Sequence, residues 1–153
     1  MPNASPPNIL SEKRARTTRI ATGVVMALAA FVIATSAHAQ SCTVPQGATR
    51  ANILNVVRAP VAGDLGGLIE FKVERARLCG PFAFVVATPQ RPGGAEIHWK
   101  GTPCEGDTSH LVGALLRQRG GVWKLLDYAL CPADVAWVDW PEKYKVPAIL
   151  FEE

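Results

Sequence analysis

The sequence predicts an α+β domain in which an N-terminal helix packs on a four-stranded antiparallel meander, closed by a short C-terminal helix and two disulfides. Three observations carry this expectation. Apolar residues recur at helical spacing from Ile53 to Leu65, and the period then changes to two from Ile69. A Gly120-Gly121 pair separates two further strand-like runs. The cysteines number four, an even count.

The first 39 residues read as a leader, set apart from the fold. Lys13, Arg14, Arg16 and Arg19 precede an uncharged apolar run from Ile20 to Ala37, and Ala37-His38-Ala39 is the small-x-small pattern of signal peptidase sites. Cleavage after Ala39 would leave Gln40 as the new N-terminus. The rival is a retained anchor, since about 18 apolar residues just span a bilayer. The run is rich in Ala, Gly and Thr, and with Ala-His-Ala it favours cleavage. Cys42 does not make a lipoprotein signal, because Gln40 stands where a small residue is needed.

The mature chain, 40–153, is long enough for one domain with a core and too short for two. Its expected compartment is the periplasm or the exterior. The net charge of +3 belongs to the leader, which holds four of the 16 basic residues and one of the 13 acidic ones. The remainder is balanced, so nucleic acid is not an expected partner. Neither is a membrane, once the leader is removed.

Residues 40–48 read as an extended lead-in pinned by Cys42. The stripe Ile53, Leu54, Val57, Val61 and Leu65 predicts a helix with Thr49 as N-cap and Gly66-Gly67 as its stop. Pro60 is expected to kink or end it. In "IEFKVERARL" the alternation predicts a half-exposed strand, with a bulge near Glu74-Arg75 where the phase slips. "FAFVVAT" predicts a second strand, apolar on both faces. A long loop over 90–108 follows, with a short strand at Glu96–Trp99. "HLVGALLRQR" and "VWKLLDYAL" complete the meander, and "ADVAWVDW" predicts a short helix begun by Pro132 and ended by Pro141. This order of elements matches the cystatin-like or nuclear-transport-factor-like cone fold.

Trp123, Tyr128, Pro132, Asp134, Val135, Ala136 and Trp137, with "AFVVATPQRPGG" at 83–94, give the chain a resemblance to a family of small exported bacterial proteins of unassigned function. The family's ending has the pattern W-x-L-x-x-Y-x-x-x-P-x-D-V-A-W. The resemblance covers most of 49–147 and implies an exported α+β domain without naming any catalytic residue. This chain departs from it at Cys131, which replaces a glycine and implies an added disulfide.

Strand direction orders the cysteines. In a simple meander Cys79 lies at one end of the sheet, and Cys104 and Cys131 lie at the other. The helix returns Cys42 towards Cys79. Pairing Cys42–Cys79 and Cys104–Cys131 is therefore expected, with the other two connectivities still open. The closest cysteines are 25 residues apart, which argues against a metal site, and no cofactor motif is present. Paired cysteines leave no thiol nucleophile.

Candidate chemistry is sparse. His98 and His110 stand in no recognisable motif, and there is no G-x-S-x-G, H-E-x-x-H or phosphate loop. Asp127 alternates in phase with Trp123, Leu125 and Ala129, which would turn it towards apolar surroundings, raise its pKa and fit it for acid or base work. The plainer reading pairs it with Arg75, Arg77 or Arg117 on neighbouring strands. Asp134 falls in the first turn of the expected C-terminal helix, as a cap. Trp137, Trp140 and Tyr144 would then share one helical face, as a lid on the core or as a patch gripping a partner. Two functions follow. The first is a binding or inhibitory module whose 90–108 loop (Arg91, Trp99) and C-terminal aromatics meet a periplasmic protein or cell-wall fragment. The second is a small cone-fold enzyme with Asp127 in a pocket between helix and sheet.

Overall fold

A computed structural model describes residues 41–152. The leader and its cleavage site lie outside the described residues. The elements are α1 (Gly47–Asp64), β1 (Glu70–Cys79), β2 (Phe82–Gln90), β3 (Val112–Arg119), β4 (Val122–Leu130) and α2 (Trp140–Tyr144). Short 3-10 turns sit at Pro92–Gly94 and Ala148–Leu150. The four strands pair in chain order, each antiparallel to the next. The α+β meander expected from the sequence is the fold.

Alternation along β2 explains the layering. Ala83, Val85 and Ala87 point to one side, where α1 lays Ile53, Val57, Val61 and Leu65 against them. Phe84 and Val86 point to the other side, where the chain after β4 brings Trp137, Trp140, Val146 and Leu150. A strand that is central and apolar on both faces needs both covers. Arg75 and Arg77 of β1 fasten the second cover. Arg75 donates to the Phe151 carbonyl, and Arg77 donates to the carbonyls of Ile149 and Glu152 at 2.9 and 2.7 Å.

The helix departs from expectation at both ends of its stripe. It begins two residues before Thr49, with Gln46 as N-cap and no side-chain capping bond. It also passes through Pro60 to Asp64. An internal proline costs about 3 kcal/mol. Val61 and Leu65, on the turn beyond it, are 0 % and 2 % exposed. Burying each contributes roughly 1.5–3 kcal/mol, which offsets the lost bond. The stop is where the glycines place it. Gly66 has a φ of 62°, and the amides of Gly67 and Gly66 bond back to Ala62 and Gly63, a Schellman closure.

β1 carries its bulge between Val73 and Arg75, at the phase slip in the sequence. Gly120 and Gly121, with φ of 57° and 80°, make the β3–β4 turn. The expected strand at Glu96–Trp99 is absent. That segment is irregular, and Ile97 and Trp99 pack it against the α1-side core. The C-terminal helix exists but lies later than "ADVAWVDW". It starts at Trp140 with Pro141 in its first turn, and 131–139 is a series of turns.

Both disulfides join the expected partners, Cys42 to Cys79 and Cys104 to Cys131. Reciprocal amide bonds between Thr43 and Leu78 align the lead-in with the end of β1. Cys104–Cys131 ties the 90–108 loop to the end of β4. Disulfides of this kind belong to an oxidising, extracellular compartment. Among the described residues no helix is long and apolar enough to cross a membrane.

Candidate functional site

Asp127 is on the face opposite to the one its phase predicts. The β3–β4 register shifts between Leu115↔Asp127 and Leu116↔Leu125, leaving Leu126 unpaired as a bulge. Trp123, Leu125 and Tyr128 face α1, whereas Leu126 and Ala129 face the second core. Asp127 goes with the second set and meets the C-terminal segment. Its Oδ2 accepts hydrogen bonds from Tyr144 Oη at 2.6 Å and Lys143 Nζ at 2.9 Å, and its Oδ1 accepts one from the Tyr128 amide. Burial pushes the carboxyl up, but the donors Tyr144 and Lys143, the Lys143 charge and the Tyr128 amide outweigh it. The net displacement is downward.

Asp127 is therefore an ionised anchor for α2, and its partner is a lysine instead of an arginine. The expected arginines are engaged elsewhere: Arg75 and Arg77 hold the C-terminal carbonyls, and Arg117 lies 5.2 Å from the Phe82 ring centre. The depression between α1 and the β3–β4 hairpin is lined by Asn52, Asn55, Val56, Val122 and Trp123, without Asp127. Asp127 is turned instead towards Tyr144 and Lys143.

Asp134 is not a helix cap, because no helix begins there. Its Oδ1 accepts the neighbouring Val135 amide at 2.7 Å. Trp137 and Trp140 are buried, at 9 % and 3 % exposure, and stand edge-on to Phe84. They form the lid on the second core. Trp137 closes on Gly113, where a Cβ would come under 3.0 Å from its ring. Tyr144 is half-buried, with its hydroxyl committed to Asp127.

Arg91 is also structural. Its guanidinium donates to the Leu65 carbonyl at 2.8 Å and the Leu68 carbonyl at 3.2 Å, strapping the 90–108 loop to the end of α1. Arg91 thus holds the loop in place.

Trp99, one of the expected binding residues, lies beside an open cavity. A cleft of about 410 Å³ lies between the end of β2 and the loop, lined by Thr88, Gln90, Glu96, Ile97, Trp99 and His110 among others. Trp99 and His110 stack face to face, with ring centres 4.0 Å apart and planes 3° from parallel. The wall they make is well supported. The Trp99 carbonyl accepts the Thr102 amide at 3.0 Å and hydroxyl at 2.7 Å, Glu105 accepts the Gly101 amide, and Cys104 is bonded to Cys131. On the other side, Arg91 N–H bonds to the Ala95 carbonyl and Gly93 N–H to Glu70. Ile97 is buried beneath, and His98 and Glu96 are exposed.

His110 carried no motif, and periodicity could not bring it to Trp99. The disulfide could. Once Cys104 is paired with Cys131, the loop must fold back over the start of β3, where His110 lies. Asp107 groups with Cys104 and Cys131, but both sulfurs are already bonded to each other. No protein-family model, no curated protein and no solved structure matches the chain.

Proposed function

We propose that this is a periplasmic or secreted domain that works by binding, and that the cleft of Trp99 and His110 is where it binds. One observation carries the reading: a supported cavity of about 410 Å³ combines an aromatic wall and an apolar floor with a rim of amide, hydroxyl and carboxylate. That is the size and mix of a ligand site. The cleft borders the loop that the second disulfide and the Arg91 strap hold still, so its geometry is set before a ligand arrives.

Kinship with the small exported bacterial proteins belongs to the same proposal. Cys131 has a φ of 51°, and glycine, the residue of that family at this place, adopts such a conformation freely. So does export: protein recovered from the periplasm should have the intact mass of a chain beginning at Gln40. A species beginning at Met1 in the membrane fraction would refute it.

The test of binding is affinity capture from native periplasm with the wild type and Trp99→Ala side by side, each first checked by a thermal melt. A protein or wall fragment retained by the wild type and lost with a folded Trp99→Ala supports the cleft. Equal capture by both refutes it.

A further inference from the structure

Resting on that binding reading, we infer that the ligand of the cleft is a carbohydrate, seated against the Trp99–His110 wall. A sugar ring has an apolar C–H face and a rim of hydroxyls. The stacked Trp99–His110 wall and Ile97 match the face, and Gln90 and Glu96 match the rim. A carboxylate and an amide accept from or donate to vicinal hydroxyls without needing a charged ligand. Glu96 on the rim disfavours a phosphate-bearing ligand, and the open polar rim does not suit a lipid tail.

An extended peptide would pair with a free strand edge, and the backbone here denies it one. At the end of β2, Ala87 is paired with Val112 and Arg91 with Ala95. Pro89 lies between them and has no N–H to offer. The notch is therefore read by side chains alone.

The experiment is a titration of the mature protein with chitin-derived and cellulose-derived oligosaccharides of one to four units, read by tryptophan emission and calorimetry. Trp123, Trp137 and Trp140 are buried, so Trp99 is the indole that reports ligand in the cleft. At least one sugar of these series should bind saturably at or below about millimolar concentration. Trp99→Ala should abolish the emission change, Trp99→Phe should keep part of the affinity, and Glu96→Gln should weaken it by about threefold to tenfold. If Trp99→Ala fails to fold, Trp99→Phe and Gln90→Ala decide the question. No binding by either series at millimolar sugar, or binding unchanged in the Trp99 variants, overturns the carbohydrate assignment. If native-partner capture still depends on Trp99, the binding reading survives alone. If it does not, both fall. Saturable binding of a proline-rich peptide in place of sugar would likewise overturn the assignment.

Discussion

Removing the Arg91 guanidinium should destabilise the domain although the residue sits in a surface loop. Its two donors close the carbonyls of Leu65, the C-cap of α1, and of Leu68 beyond it, at 2.8 and 3.2 Å. A charged donor to a carbonyl is worth roughly 1.5–3 kcal/mol when partly buried. The Leu65 bond is partly buried and the Leu68 bond is exposed, so the second is discounted. The sum for Arg91→Ala is about 2–3 kcal/mol, including the favourable charge at a helix C-terminus. For a domain of this size that is a fall in Tm of about 8–15 °C. Arg91→Lys should recover less than half, since one ammonium does not span two carbonyls as a planar fork does. The assay is a thermal melt by circular dichroism in matched buffers. A fall of less than about 3 °C for Arg91→Ala would refute the strap and return Arg91 to the surface.

Trp137→Ala should cost about 3–5 kcal/mol, because the ring fills the second core against Phe84, and chemical denaturation measures the loss directly. Gly113→Ala should cost about 1–2 kcal/mol, an overpacking penalty against the Trp137 ring partly repaid by a stiffer unfolded chain, and the same denaturation series would show it. Asp127→Asn should remove stability at neutral pH. Because the folded-state pKa is depressed, the wild-type advantage is present above the unfolded carboxylate range and is lost as pH falls through the folded value. The gap between wild type and variant should thus close as pH falls through and below the ordinary carboxylate range, and a constant gap across paired melts would contradict the assigned ion pair.

The sheet was legible because its signals are local. Gly120-Gly121 names its own turn, the slip after Val73 announces a bulge, and the run from Phe82 to Ala87 is apolar in both phases. The bulge at Leu126 was not legible. In "KLLDYAL" the residues on either side of it are equally compatible with either phase, so Asp127 was assigned to the wrong face. The placement of α2 failed for a related reason. Trp137 and Trp140 are spaced as a helical stripe would be, but a turn closed by the Trp140 N–H on the Trp137 carbonyl brings both to the core as well. Pro141, read as a stop, is in the first turn of the helix, where proline is at home. The cleft was half legible: Trp99 stood out as an aromatic in a polar loop, and His110 needed the disulfide to place it.

The order of the cysteine pairs has a consequence for how the chain matures. The first cysteine joins the second and the third joins the fourth, at separations of 37 and 27 residues, so the two covalent rings follow one another without interlocking. A chain threaded N-terminus first into an oxidising space presents Cys42 and Cys79 together before Cys104 has arrived. An oxidant that simply joins each new thiol to the one already waiting produces the native connectivity. Pairing in order of appearance along the chain is therefore the native pairing.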